Sequence, residues 1–203
     1  MAALAARTPR QVTDASRREA AVALILHPEP DRLLVVRRAT RDSDPWSGQL
    51  ALPGGRREPA DDDLMTTAIR ETAEEVGIAL DPSEHRVTLD DLAPVTPVLP
   101  PVIVRPFAFR PATESTIVLS GELDHAEWVS FEELVRPAVR QWQELMIHGT
   151  PRQVLGYQLS AGFLWGMTER ILAPVVQAWR DLEGETGNRK LETRNGERET
   201  GNG

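Results

Sequence analysis

A glycine turn followed by a helix rich in carboxylates is the part of the sequence best suited to chemistry. The turn is Pro53-Gly54-Gly55, and the acidic string is Arg70-Glu71-Thr72-Ala73-Glu74-Glu75-Val76-Gly77. In a helix, Glu71 and Glu75 lie one turn apart on the same face, with Glu74 at its flank. Carboxylates this close repel one another unless a cation lies between them, and oxygen ligands suit Mg²⁺ or Mn²⁺. The spacing therefore predicts a divalent metal site formed by Glu71, Glu74 and Glu75.

Capping residues and an apolar stripe support a helix over residues 63–76. Asp63 is a favourable N-cap, and Gly77 is a favourable residue just past the C-terminus. The stripe consists of Leu64, Ala68, Thr72 and Val76. We expect this stripe to pack on a sheet while the acids face outward on the opposite side. Taken alone, the same pattern is also typical of an acidic surface helix with ordinary caps.

Turn and helix together resemble the signature sequence of the Nudix hydrolases. The match comprises the double glycine and the Arg-Glu-x-x-Glu-Glu-x-Gly string that begins at Arg70. The intervening loop is one residue longer than in the usual signature, and Asp61 stands where the signature has glutamate. This longer form is similar to the coenzyme A diphosphatase branch of the family, into which the string Thr67-Ala68-Ile69-Arg70-Glu71 fits.

Two further segments resemble the same branch. They are Trp46-Ser47-Gly48-Gln49, upstream of the turn, and Leu164-Trp165-Gly166-Met167-Thr168, near the other end. The chain departs from the branch at Leu52, where phenylalanine is usual, and at Val35-Val36, where members usually have a Leu-Thr-x-Arg start.

The Nudix resemblance implies metal-dependent hydrolysis of a pyrophosphate bond in a nucleoside diphosphate derivative. In that mechanism Glu71 and Glu75 hold the ion, Glu74 completes its shell directly or through water, and Arg70 orients the acids. Glu122 is the candidate general base or additional ligand. The resemblance to the coenzyme A diphosphatase branch implies that the substrate is coenzyme A or an acyl-coenzyme A. The alternatives are ADP-ribose, dinucleotides or oxidised nucleotides, and a non-catalytic module that binds a nucleotide.

Arginines near the turn are candidates for contact with substrate phosphates, because the planar guanidinium group suits phosphate oxygens. The candidates are Arg37, Arg38, Arg56, Arg57 and Arg105. Each of them is equally compatible with a solvated surface position. Gly54 and Gly55 are expected to approach the substrate through their backbone, and Trp46 to stack on an adenine ring.

Charge and composition limit the partners. The net charge of −8 argues against a general nucleic-acid surface, and the chain has no cysteine for thiolate sites. The sequence predicts no membrane span and no signal peptide, so we expect a cytoplasmic protein. A small-molecule nucleotide is the expected partner, and a homodimer is suggested by the frequency of dimers in the family.

The surrounding elements predict an α+β fold. A hairpin is expected over residues 20–38 and further strands over 49–52, 86–92, 102–110 and 126–131. Short and long helices are expected over 132–135 and 163–182. The resemblance implies an α/β/α sandwich with a mixed sheet and the acidic helix between strands. We predict a flexible segment over 1–17, one hydrolase domain over 18–182 and a disordered polar tail over 183–203.

Overall fold

The computed structural model describes residues 6–14, 16–29, 31–41, 47–94, 101–147 and 149–199, with backbone alone for 185–199. The strands in these ranges are β1 (Arg18–Ile25), β2 (Arg32–Arg38), β3 (Leu50–Ala51), β4 (Gly54–Arg56), β5 (His85–Thr88), β6 (Val102–Phe109), β7 (Leu123–Ser130), β8 (Arg140–Ile147), β9 (Thr150–Leu159) and β10 (Gly162–Trp165). The α-helices are α1 (Leu64–Val76), α2 (Phe131–Leu134) and α3 (Met167–Glu199).

Three sheets are formed by these strands. The first is mixed, in the order β4-β1-β6-β5, with β1 parallel to β6 and antiparallel to β4. The second has the order β3-β2-β7 and the third the order β10-β9-β8, both antiparallel. The strand β4 thus carries the glycine turn to the edge of the mixed sheet, next to β1.

Strands β1 and β2 lie between two helical layers. Because side chains alternate along a strand, β1 sends Leu24 into one apolar cluster and Ala23 and Ile25 into another. The cluster around Leu24 includes residues of α3, and the cluster around Ala23 includes residues of α1. Burial on both faces explains the continuous apolar runs of these strands. This arrangement confirms the predicted α+β fold and its α/β/α layers.

The predicted acidic helix forms with its predicted caps. The Asp63 side chain accepts a hydrogen bond from the Thr66 N–H, and Gly77 ends the helix in the left-handed conformation with φ 71°. The apolar stripe is buried as expected, but Glu75 is buried with it. Seven residues, nearly two full turns, separate Ala68 from Glu75, so both lie on the same face. The expectation that all the acids face outward is therefore wrong for Glu75.

The predicted hairpin over residues 20–38 is also wrong, although both of its strands exist. The strand β1 pairs with β4 and β6, whereas β2 pairs with β3 and β7. A single antiparallel bridge between Leu26 and Leu33 links the two. Each strand thus pairs mainly with strands that are distant in the chain, so sequence proximity does not decide the pairing.

The region between α2 and α3 contains strands that the sequence analysis did not predict. The strands β8 and β9 form a long antiparallel ladder, and β10 pairs with β9. The last helix starts at Met167, later than the predicted Phe163, because Phe163 to Trp165 pair with β9. In β8 exposed and half-buried residues alternate, and glutamines occupy half-buried positions, so the apolar pattern of a strand is weak there.

Both chain ends extend the predicted domain. Near the start, the backbone N–H groups of Arg10 and Val12 donate to the carboxylates of Asp90 and Asp91. At the other end α3 continues to Glu199, beyond the predicted end at Leu182. After Leu182 the sequence offers only one large apolar residue for packing, so the predicted disorder of the tail in solution stays a prediction. Among the described residues, no helix combines the length and the hydrophobicity that a bilayer crossing requires.

Candidate active site

The glycine turn places backbone directly against the acidic helix. In the ladder between β1 and β4, Gly55 lies opposite Ala21 and Gly54 opposite Val22. A Cβ atom at Gly55 would lie 2.4 to 2.5 Å from the carboxyl atoms of Glu71. At Gly54, φ is +150° and a Cβ atom would lie 2.2 Å from the Ala21 carbonyl oxygen. Only glycine fits at both positions, and its lack of a side chain lets Glu71 approach the strand.

Glu75 is a buried carboxylate beside the glycine turn. Its side chain is only 5% exposed and accepts a hydrogen bond of 2.9 Å from the Gly54 N–H. Burial raises the pKa of Glu75 to about 7, and the negative charges of Glu71 and Glu122 add to this rise. The Gly54 hydrogen bond and the charge of Arg38 act in the opposite direction. Such a group favours either a proton or a nearby cation.

Arg70 is the centre of an ion-pair network on the outer side of α1. Its Nε and Nη2 donate to the two oxygens of Asp61, each at 3.0 Å, and its Nη1 donates to Glu71 at 2.9 Å and to Glu74 at 3.0 Å. Asp61 is buried, and the Arg70 guanidinium holds its pKa well below the usual range. Arg70 therefore holds Glu71 and Glu74 together, and its orienting role in a reaction stays a prediction.

The three predicted metal ligands differ in their surroundings. Glu71 is half-buried, and burial raises its pKa while Arg70 lowers it. The Glu74 side chain is 59% exposed and forms an ion pair with Arg70. Within the described ranges, no group of three or more histidine, cysteine or acidic side chains converges closely enough to hold a metal ion. Mg²⁺ is commonly bound by one or two carboxylates together with water and substrate phosphates, so Glu71 and Glu75 fit such a site as a pair.

The loop before β7 carries Glu122 towards this pair. The Ser120 N–H donates to the carbonyl oxygen of Glu75, and the Ala39 N–H donates to the carbonyl oxygen of Glu122. The charge of Glu122 contributes to the raised pKa values of Glu71 and Glu75. Glu122 is exposed, so its carboxylate can reach solvent as well as the buried pair.

The candidate arginines occupy different places. Arg37 donates to the Asp124 carboxylate at 2.6 Å and to the Ala161 carbonyl oxygen, whereas Arg38, on the opposite face of β2, lies within electrostatic reach of Glu75. Arg105 forms a two-pronged ion pair, with both hydrogen bonds 2.8 Å long, to the buried Asp91. Because this ion pair holds its guanidinium group, we assign Arg105 a structural role and not contact with the substrate.

The remaining candidates are Arg56 and Arg57, which follow the glycine turn, and Trp46. Arg56 is exposed and follows the glycine turn directly, beside a cavity that Arg18 also lines. Arg57 donates to the Glu19 carboxylate at 2.9 Å. Trp46 lies outside the described residues. The sequence did not indicate Arg18 as a candidate, because only the pairing of β1 with β4 places it beside Arg56.

Comparison with known proteins supports the reading of this site. The family model described as NUDIX domain matches residues 17–149. An uncharacterized Nudix hydrolase, NudL, of Yersinia pestis (strain Pestoides F) is 31% identical over 175 residues, which cover 80% of this chain and 80% of that protein. A solved structure of a MutT/nudix family protein from Enterococcus faecalis has a TM-score of 0.56 at 13% identity, covering 85% of this chain and 64% of that one. That likeness shows the fold.

Two relatives match over a shorter stretch. The mitochondrial coenzyme A diphosphatase NUDT8 of Homo sapiens is 40% identical over 89 residues, covering 40% of this chain and 37% of that protein. The uncharacterized protein C14C4.10c of Schizosaccharomyces pombe is 36% identical over 110 residues, covering 52% of this chain and 33% of that protein. The chain thus spans about a third of the length of each of these two relatives.

A glycine turn against a carboxylate helix, set in an α/β/α sandwich, defines a hydrolase of phosphoanhydrides. The chain belongs to the Nudix family and is a pyrophosphohydrolase. Enzymes of this family act on small-molecule nucleotide substrates and generally use divalent metal ions.

Proposed function

We propose that this pyrophosphohydrolase cleaves coenzyme A and acyl-coenzyme A. The products are adenosine 3′,5′-bisphosphate and the corresponding phosphopantetheine. The observation that carries the hydrolytic part is the pair of Glu71 and Glu75, two carboxylates whose pKa values are raised by burial beside the glycine turn. The substrate is supported by the sequence similarity to a coenzyme A diphosphatase and by the longer loop that ends in Asp61.

In this proposal each acid has a separate task. Glu71 and Glu75 would hold Mg²⁺ or Mn²⁺, and Arg70 fixes the orientation of Glu71 through its hydrogen bond. When bound, the ion screens the charge of the diphosphate and activates water. Glu74, which is exposed, would complete the shell of the ion directly or through water.

The hydrolytic step needs a base and a path for the leaving group. Glu122 accepts a proton from the attacking water, whose oxygen forms a bond to one phosphorus of the anhydride. The bridging P–O bond breaks, and the departing phosphate keeps the electron pair of that bond. Arg38, near Glu75, faces the charge that develops on the phosphate oxygens. Because Gly55 has no side chain, the Glu71 carboxylate lies against the strand beside the turn, where it can meet the diphosphate.

A substrate panel tests the proposal. Coenzyme A, acetyl-coenzyme A, ADP-ribose, NADH and a nucleoside triphosphate are incubated with Mg²⁺ or Mn²⁺, and the products are separated by chromatography. We expect the two coenzyme A species to have the highest kcat/KM. Glu75→Gln is expected to lower kcat by about 100-fold or more, whereas Glu132→Gln, on the exposed side of α2, serves as the matched control.

The other outcomes distinguish the alternatives. Faster cleavage of ADP-ribose, a dinucleotide or an oxidised nucleotide would retain the mechanism and reject coenzyme A as the substrate. Nucleotide binding without any metal-dependent hydrolysis would indicate a binding module and reject the catalytic roles of Glu71 and Glu75.

A further inference from the structure

A cavity of about 540 Å³ opens beside the glycine turn, between the segment before β1, the strand β4 and the loop that follows it. This volume lies in the range of cavities that bind small molecules, about 300 to 1,000 Å³. Four arginines line it: Arg17, Arg18, Arg56 and Arg57. Guanidinium groups at this density attract phosphate groups when they are not already paired with acids.

Acids also line the cavity, and most of them are neutralised. Three of these acids have arginine partners, in the pairs Asp14–Arg17, Glu19–Arg57 and Asp61–Arg70. Within the described part of the chain, the guanidinium groups of Arg18 and Arg56 have no hydrogen-bond or ion-pair partner, and both residues are exposed. The remaining acid, Glu58, is exposed and has no side-chain partner in the same ranges. Among the described lining residues, two arginine side chains and one glutamate side chain thus remain without a partner.

The sheet brings the two free arginines together. In the antiparallel pair of β1 and β4, Ala20 lies opposite Arg56, so both side chains are on one face of the sheet. Arg18 precedes Ala20 by two residues and lies on that same face. Arg18 and Arg56 are thus diagonal neighbours, roughly 7 to 8 Å apart at the backbone, with small Ala20 between them. Like charges at this spacing repel, and an anion bound between them would remove the repulsion.

One side chain, that of Arg70, contacts both the wall of the cavity and the proposed catalytic carboxylates. Arg70 donates from Nη2 to the carbonyl oxygen of Arg56 at 3.1 Å and to Asp61, which lines the cavity. From Nη1 the same guanidinium donates to Glu71 and Glu74. The cavity and Glu71 thus adjoin one guanidinium group at the edge strand β4, so a ligand that passes this edge would place its diphosphate at Glu71 and a further phosphate in the cavity.

We propose that Arg18 and Arg56 form an anion subsite for a phosphomonoester of the substrate that is not part of the cleaved anhydride. This inference rests on the proposed function, because coenzyme A carries such a group on the 3′ position of its ribose. The subsite distinguishes coenzyme A from dephospho-coenzyme A, whose anhydride is the same.

A binding experiment tests the subsite without hydrolysis. Adenosine 3′,5′-bisphosphate and AMP contain no anhydride, so their affinities for the full chain in the presence of Mg²⁺ can be measured by calorimetry. We expect the bisphosphate to bind about tenfold more tightly than AMP, the difference typical of one charged hydrogen-bonding group. Arg18→Ala and Arg56→Ala are each expected to reduce this preference severalfold. Arg152→Ala, an exposed arginine on β9, is expected to retain it.

The outcomes separate this inference from the proposed function. Equal affinity for the two ligands, or a preference that survives in Arg18→Gln and Arg56→Gln variants with wild-type circular dichroism spectra, would overturn the subsite. If coenzyme A is not hydrolysed but the preference exists and needs both arginines, the substrate proposal fails and the subsite stands. If coenzyme A and dephospho-coenzyme A are hydrolysed with equal kcat/KM, the subsite fails and the hydrolytic function stands.

Discussion

Glu75→Gln is expected to make the metal-free protein more stable while it removes the activity. The wild-type carboxylate is buried, and its pKa in the folded protein is about 7 against an ordinary value of 4.5. The folded state therefore binds the proton of Glu75 more tightly than the unfolded state does. As pH rises from 4.5 through 7, the folded protein loses stability because the buried side chain must ionise. Glutamine has no such ionisation and still accepts the Gly54 hydrogen bond through its amide oxygen.

The size of the gain follows from the difference between the two pKa values. Each pH unit of difference is worth 1.36 kcal/mol, so the gain at pH 8 is roughly 3 kcal/mol. At pH 5, where the folded wild-type side chain is protonated, the gain falls to about 1 kcal/mol. In a domain of this length, roughly 3 kcal/mol corresponds to a rise in Tm of about 6 to 12 °C.

Thermal unfolding in EDTA at pH 5 and pH 8 measures this effect. Glu74→Gln is the matched control, because its side chain is 59% exposed and its surface ion pair contributes little to stability. Mg²⁺ at pH 8 is expected to raise the Tm of the wild type, by binding the folded state, and to leave Glu75→Gln unchanged. A variant no more stable than the wild type at pH 8, or equally stabilised at both pH values, would contradict the expectation that burial of the Glu75 carboxylate destabilises the metal-free protein.

Three further perturbations address the turn, the network and the tail. Gly55→Ala is expected to lower kcat by roughly 100-fold, because its Cβ would displace the Glu71 carboxylate, whereas Gly121→Ala has open space around its Cβ and should keep full activity in the same assay. Asp61→Asn is expected to cost about 3 kcal/mol in urea unfolding at pH 7, because Arg70 loses the most buried of its three carboxylate partners, and an unchanged midpoint would contradict this. The wild-type advantage is present above pH 3.8 and should shrink as pH falls further, towards the depressed pKa of the carboxyl group. Deletion of residues 183–203 is expected to leave kcat/KM and the helical circular dichroism signal of the chain unchanged, and a loss of helical signal would show an ordered tail.

Local signals were enough to predict the helix and the turn. Asp63 and Gly77 mark the ends of α1 through capping rules that depend on neighbouring residues alone, and both caps are present. The α+β class follows in the same way from alternating apolar segments. Strand pairing depends on residues far apart in the chain, which explains why the predicted hairpin does not form and why β8 and β9 were missed.

The position of Glu75 shows where sequence patterns stop being sufficient. Its spacing from Ala68 places it on the buried face of α1, in a position that the pattern of that face assigns to an apolar residue. A buried acid here costs stability, and the Gly54 N–H offsets only part of this cost. A charged residue at a position that the helix pattern assigns to an apolar one, with such a loss of stability, is expected mainly at functional sites. The misfit itself therefore points to a bound ligand, and the negative charge of nearby Glu71 favours the divalent cation that we propose.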